Sequence, residues 1–561
     1  MLRRMPEERR TSHDASAPQP GLTVAHRSSR AAFLVAAGIL LSRLAGLVRQ
    51  RVFGRYLGIS EAADAYTAAL RIPNFLQNLF GEGILSGSFI PVYARLLAEG
   101  DEETAGRVAS VVASLLALAV GVLTLLGVVA SPVIVTIVAP GFHGDVRELT
   151  VTLVRIMFPG VGLLVMAAWC LGVLNSHRRF FNSYVAPVLW NAAIIASLIA
   201  FGRGMASTRA NRFQLAVWAG WGTVVGAALQ LGLLAPSAIR LVKRLRPSLA
   251  IHLPPVRIVL GTFGPVVASR GVVQLSAFID QALATLIGSG ANAAMAYAQT
   301  IYLVPVSLFG MSVSAAELPE MSGATGTPEE VAARLRERLA AGLLRIAYFV
   351  IPSVVGFLAL GDVVVAALFQ VGAFGRDGTL FVWMILAGST VGLLATTQSR
   401  LFTSAFYALR DTRTPLRFAI LRVTLTAVFG AAAAFASIKG LWRAQLGAAG
   451  LTASAGLAGW LEFLLLRRAL SDRIGSFFVG AGPIARLWGA ALASGGAAFA
   501  LHRLLPPLPP LALWVVTIGA PVERGVVVLG AFGLGYLGLT VALGVGEARG
   551  IARRVRRILR L

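Results

Sequence analysis

Apolar residues in this chain fall in long unbroken runs, not in alternation. Val108–Val129, Ile156–Leu174 and Val526–Val545 each reach the roughly 20 residues a helix needs to cross hydrocarbon. Barrel strands would instead alternate over about 10 residues, and an open sheet would leave backbone groups unpaired in lipid. The pattern predicts an all-α polytopic membrane protein of about fourteen transmembrane helices. They lie near 31–54, 62–94, 107–138, 149–174, 184–202, 214–236, 256–288, 291–318, 340–370, 379–407, 416–437, 446–467, 482–503 and 524–546. The stretch "LALWVVTIG" at 511–519 is too short to cross and is expected at the interface.

Composition agrees: 57% of the 561 residues are hydrophobic and 13% charged, against about 25% charged in soluble proteins. A net charge of +25 raises the question of nucleic acid, but the arginines cluster in short loops between apolar runs, as the positive-inside rule describes. Basic loops at Arg178–Arg179, Arg240–Arg246, Arg334–Arg338, Arg410–Arg413 and Arg467–Arg473, with the C-terminal "RGIARRVRRIL", share one face if the span number is even. That face holds roughly 30 Lys/Arg against about 9 on the other, so both termini are expected in the cytoplasm and no nucleic-acid partner is expected. The loop with Arg203, Arg209 and Arg212 departs from this pattern. Residues 1–30 have no apolar core and read as a disordered cytoplasmic tail rather than a signal peptide. The single cysteine, Cys170, rules out an internal disulfide.

Sliding the chain along itself reveals a repeat. "LLSRLAGLV" meets "VASRGVVQL", Pro73 meets Pro305, and "YVAPVLWNAAII" meets "RTPLRFAILRVT", all at an offset of about 227–232. Six spans per copy make the copies parallel, an arrangement that places a substrate site between two lobes. The domains expected are an N-lobe at 31–236, a C-lobe at 256–467, two additional helices at 482–546 and a basic cytoplasmic tail at 547–561.

Charge inside the spans marks candidate function. An ionised side chain at mid-bilayer costs about 2.5–3.5 kcal/mol on insertion scales and normally faces a cavity or a partner. On one straight helix, Asp64, Arg71, Asn74, Asn78 and Glu82 fall within about 80° of one another, which predicts a wet face. The first span adds Arg43 and Arg49, the seventh Arg270 and Asp280, and the eighth Glu317. Arginines in a solvated cavity suit an anionic headgroup, because the guanidinium keeps its charge and donates in a planar fork. Asp280 is open between an ion or proton site and a partner for Arg270. The only lysines, Lys243 and Lys439, lie in no Walker A loop, and no H-E-x-x-H occurs. The expectation is therefore a transporter driven by gradients or membrane potential, not an enzyme.

"SRLAGLVRQRVFGRYLG" followed by "ADAYTAALRIPNFLQNLFGEGILSGSFIPVYARLL", together with "GVLNSHRRFFNSYVAPVLWN" and "FYALRDTRTPLRFAI", resembles the MurJ/MviN family of lipid II flippases, within the multidrug/oligosaccharidyl-lipid/polysaccharide exporter superfamily. The resemblance implies two six-helix lobes plus two C-terminal helices bordering a groove for a polyprenyl tail. It also implies a central cationic cavity for the pyrophosphate-sugar headgroup of lipid II, and export of this peptidoglycan precursor across the bacterial inner membrane. Ser42, Arg43 and Arg49 map onto the family's cavity residues, and Asp64 and Glu82 onto its second-span acids. The substrate-binding set expected is Ser42, Arg43, Arg49, Asp64, Arg71, Asn78, Glu82 and Arg270, with Asp280 as the ion-site candidate. Two family arginines are replaced, by Gln77 and by Gln299–Thr300 in "YAQT", for which Arg71 or Arg270 would compensate.

The partners implied are lipid II or a related polyprenyl-pyrophosphate saccharide and membrane lipids, around a monomer. No cofactor is expected, and coupling stays open among sodium, proton and membrane potential. The alternatives are an exporter of another polyprenyl-linked oligosaccharide or small molecule, or a non-transporting cell-wall scaffold.

Overall fold

A computed structural model describes residues 20–558, apart from 81, 206–207, 243–244, 324–325, 478, 507–510 and 514–515. The N-terminal lobe comprises α1 (Pro20–Leu57), α2 (Glu61–Phe80), α3 (Glu82–Gly87), α4 (Phe89–Ala98), α5 (Glu102–Val129), α6 (Ser131–Val138), α7 (Gly144–Ser176), α8 (Phe180–Gly202) and α9 (Arg209–Leu241). The C-terminal lobe begins with α10 (Pro254–Ile287) and α11 (Ala291–Pro305), which passes through a π-helical turn, Val306–Met311, into α12 (Ser312–Ser322). It continues as α13 (Pro328–Ala359), α14 (Gly361–Phe369), α15 (Arg376–Thr390), α16 (Leu393–Ala408), α17 (Arg413–Ile438) and α18 (Ala444–Ile474). Two further long helices, α19 (Ala481–Leu504) and α20 (Ala520–Ala542), are followed by α21 (Gly546–Ile558).

Among the described residues, ten helices are long and apolar enough to cross a membrane, and the α15–α16 pair, bent by 43°, adds an eleventh. The other three expected spans fall on α1, α2–α4 and α10, the segments that carry Arg43, Arg49, Arg71 and Asp280.

The two lobes repeat one packing scheme. In the first, α8 packs on α9, α7 on α9, α1 on α8, α2 on α7 and α5 on α7. In the second, α17 packs on α18, α15 on α18, α10 on α17, α11 on α15 and α13 on α16. Each third span is followed by a short apolar helix, α6 or α14. The correspondence reaches single dihedrals: Arg178 after α7 and Arg410 after α16 both have φ of 59°. Each closes its helix with paired bonds, Arg179 N to Leu174 O and Asp411 N to Phe406 O, both 2.9 Å. A side chain in this left-handed conformation costs roughly 1–2 kcal/mol that glycine would not. Arg178→Gly is therefore expected to raise stability by about 1 kcal/mol, read as a higher detergent melting temperature.

Several boundaries differ from expectation. Helix α1 begins at Pro20, inside the stretch assigned to a disordered tail; proline suits a first helical turn because its missing N–H has no partner there anyway. The second span is not one helix over 62–94 but is broken at Ser88, between α3 and α4. Residues 511–519 contain an antiparallel hairpin, β1 (Leu511–Leu513) and β2 (Val516–Ile518), with Leu511 opposite Ile518. The basic tail is helical through Ile558 and is anchored by Ala548, which is buried with Leu487 and Tyr536. Within the irregular loop at 203–212, one of the three arginines is compensated locally. Arg209 bridges Glu61 and Asp145 at 2.7 Å each and lies over the Phe213 ring, so its charge is matched by acids on that face.

Candidate functional site

A cavity of about 210 Å³ lies between the lobes, walled by α1, α2, α8 and α11. Its N-lobe wall carries Arg49, Gln50, Thr67, Arg71 and Asn74; its C-lobe wall carries Asn292, Gln299 and Thr300. Thr67, Leu70, Arg71 and Asn74 have i, i+3, i+4, i+7 spacing, so α2 presents one continuous stripe. Among the described residues, no carboxylate lines the cavity.

Arg49 is held against the Trp190 ring, 5.0 Å from its centroid. Its Nε is buried without a hydrogen-bond partner, and no carboxylate pairs with it among the described residues. Arg71 donates to Gln281 Oε1 at 3.4 Å and lies within electrostatic reach of Asp280, which also feels Arg422. Arg422 in turn pairs with Glu462 at 3.3 Å. Asp280 thus sits between an N-lobe and a C-lobe arginine. Glu317 is buried on α12 and pairs with Arg338 and Arg345 of its own lobe.

At the face opposite the arginine-rich loops, helix ends join the lobes. Asp64, 1% exposed, accepts bonds from the backbone N–H groups of Gly290 and Ala293, the latter at 2.7 Å, and Asn292 Nδ2 donates to its carbonyl at 3.1 Å. The carboxylate therefore caps the start of α11, where unpaired N–H groups and the helix dipole favour negative charge. The reverse arrangement occurs beside it. Arg51 Nη1 donates to the carbonyls of Ala367 and Leu368 at 2.7 Å each, placing a cation at the end of α14. Gly290 has φ of +84°, and a Cβ there would lie 2.4 Å from Ile59 Cγ2, so the close approach of the α1–α2 turn to the start of α11 requires glycine. An aromatic cluster, Phe53, Tyr66, Tyr297, Phe369 and Phe374, fills the seam behind these bonds.

Residues 53–505 match the model of one protein family, described as "Lipid II flippase MurJ". The chain belongs to the MurJ family. Among its relatives, the lipid II flippase MurJ of Burkholderia cenocepacia is 31% identical over 454 residues, covering 79% of this chain and 84% of that one. A probable lipid II flippase MurJ of Rhizobium meliloti is 31% identical over 440 residues, covering 77% and 78%. A solved structure titled "Lipid II flippase MurJ, inward closed conformation" shares the fold, with a TM-score of 0.71 at 22% identity over 91% of this chain and 98% of that one. A multidrug resistance MATE family transporter of the MOP superfamily shares it more loosely, at 0.60 and 18% identity over 79% and 98%.

For this MurJ-family chain, Arg49 and Arg71 meet in the cavity, whereas Asp64 is turned into the lobe seam. Helical spacing alone places Asp64 on the solvated stripe; its backbone partners on α11 hold it in the seam instead. The side chains of Glu82 and Arg270 lie outside the described residues. Asn78 is exposed and Ser42 half-buried, and neither lines the cavity. Arg43 is exposed and also outside the lining. Six residues along a helix turn Arg43 about 120° from Arg49, but seven bring it onto the face of Gln50, one to two turns nearer the arginine-rich side. Gln299 and Thr300, where the resemblance leads one to expect an arginine, form the C-lobe wall, while Gln77 does not line the cavity. Gln50, Thr67 and Asn292 were missed. The α2 spacing gave a signal for Thr67, but Asn292 reaches the site only by tertiary packing.

Proposed function

We propose that this protein flips lipid II from the cytoplasmic to the outer leaflet of the bacterial inner membrane by alternating access, with the arginine-rich face and both termini in the cytoplasm. The observation that carries the reading is the unpartnered, buried Nε of Arg49 in a cavity that no carboxylate among the described residues lines. A buried cationic donor left unmatched is costly, and a diphosphate supplies both the charge and the acceptors it lacks. Arg43 and Ser42 receive the headgroup below the cavity; Arg49 and Arg71 hold the diphosphate within it. Arg71 takes the cationic role that neutral Thr300 does not, and Glu82, Arg270 and Asn78 are assigned to the approach. Asp64 and Arg51 hold the outer face shut while the cargo enters.

Asp280 is assigned as the counter-charge of Arg71 and Arg422 rather than as an ion site. Transport in proteoliposomes is therefore expected to run at an unchanged rate when sodium is replaced by choline, and a sodium-dependent rate would return Asp280 to the role of ion ligand. Arg51→Ala, which removes two bonds to the end of α14, should loosen the outer seam by about 1–3 kcal/mol, measured as faster labelling of a cavity cysteine from outside.

The test of function is rescue of cells depleted of their own lipid II flippase, comparing wild type with Arg43→Ala and Arg49→Ala at matched membrane levels. Growth with wild type alone supports export through the arginine cavity. Rescue by every variant would leave lipid II export standing and remove the site assignment. Failure of wild type despite normal insertion favours a second reading, a different polyprenyl-linked saccharide, which the neutral wall of Gln299 and Thr300 supports.

A further inference from the structure

A second cavity, of about 370 Å³, opens on the arginine-rich face where α16, α17 and α18 end. Four arginines line it, Arg410, Arg413, Arg417 and Arg473, with Asp411 as the only acid among the described residues. Asp411 is already saturated. Its Oδ1 accepts from the N–H groups of Arg413 and Thr414, at 2.9 and 3.0 Å; its Oδ2 accepts from Thr414 Oγ1 and faces Arg473 Nη2, both at 2.6 Å. The Thr414 bonds, before the others, hold its carboxyl down at about 2, so it stays ionised and cannot donate to an anion. The start of α17 thus carries its own internal anion. What remains unmatched is the guanidinium charge of Arg410, Arg413 and Arg417, which form no ion pair among the described residues.

Depth then selects the ligand. Arg413 and Arg417 share one face of α17 at i, i+4 spacing. Leu416 and Ile420 beside them are 51% and 49% exposed, as side chains touching acyl chains would be. The cavity therefore lies where hydrocarbon gives way to headgroups, the level at which basic pockets between transmembrane helices take lipid phosphates. Arg410 keeps a left-handed conformation, φ 59°, at a position where glycine is the unstrained residue.

We propose that this cavity is a second anion site, distinct from the central one, that binds the phosphate of an anionic glycerophospholipid in the cytoplasmic leaflet. The leaflet rests on the orientation proposed above; the site does not rest on lipid II as cargo. Bound lipid would tie α17 to α16 and α18 across their shared turn, with two guanidinium groups on the phosphate oxygens and the acyl chains along Leu416 and Ile420.

The experiment uses the full chain in detergent, titrated with phosphatidylglycerol, phosphatidylcholine or inorganic pyrophosphate, with bound lipid counted by native mass spectrometry. The expected result is retention of phosphatidylglycerol over phosphatidylcholine, weakened roughly 10-fold or more in the R413Q/R417Q double variant and largely kept in R413K/R417K. A control pair on the same face, R240Q/R334Q, removes equal charge outside the cavity and should leave retention unchanged. Equal losses in both glutamine pairs would mean that only the overall field attracts lipid, and the proposal would fall. Binding of pyrophosphate without phosphatidylglycerol would overturn the lipid assignment in favour of a free phosphate. Because the lysine pair reports folding with charge intact, failure of both Gln and Lys pairs to hold lipid despite wild-type melting would also reject a charge-based site.

Discussion

Arg49→Gln should abolish rescue of flippase-depleted cells and weaken binding of a short-chain lipid II by roughly 150-fold, the equivalent of about 3 kcal/mol for a charge-assisted contact with phosphate. The same change should raise the melting temperature of the empty protein. Its guanidinium Nε is buried without a partner, and among the described residues the aromatic face of Trp190 is what lies against the charge. Removing it relieves an unpaired buried donor, so function and stability are expected to move in opposite directions. A structural arginine would lose both together. The discriminating pair of measurements is the detergent melting curve and direct lipid II binding; a lower melting temperature with unchanged binding would remove Arg49 from the site.

Asp64→Ala should have the largest conformational effect. It deletes a carboxylate bonded to two backbone N–H groups at the start of α11 and leaves those groups buried and unpaired. The loss, about 2–4 kcal/mol, corresponds to a roughly 30- to 700-fold shift toward states open at the outer face. Ala296→Cys places a thiol in the cavity wall, and the native Cys170 is buried. Labelling of that thiol by an impermeant maleimide from outside should accelerate in the Asp64→Ala background. Asp64→Asn, which keeps one acceptor, should fall between. Unchanged labelling would show that the aromatic seam alone holds the lobes and that Asp64 is not a latch.

These two residues also show where the sequence can be read and where it cannot. Helical class, the two-lobe repeat and the arginine-rich face follow from apolar run length, self-similarity and loop charge, because lipid leaves the backbone few options. That Arg49 and Arg71 line a cavity is legible for the same reason: an intramembrane guanidinium needs water, a partner or a ligand. The role of Asp64 is not. Helical spacing placed it near Arg71 and Asn74, but its partners are backbone N–H groups on α11, and backbone donors carry no residue identity in the sequence. Arg51 was passed over similarly, since its acceptors are the carbonyls of Ala367 and Leu368.

The sequence by itself determined that this chain crosses the membrane many times as helices, that it is built twice over, and that its arginines gather in loops of one face. Only the tertiary structure decided which charges meet. A helical stripe defines direction around one axis, whereas a cavity, a latch and a lipid-depth pocket depend on how separate helices cross.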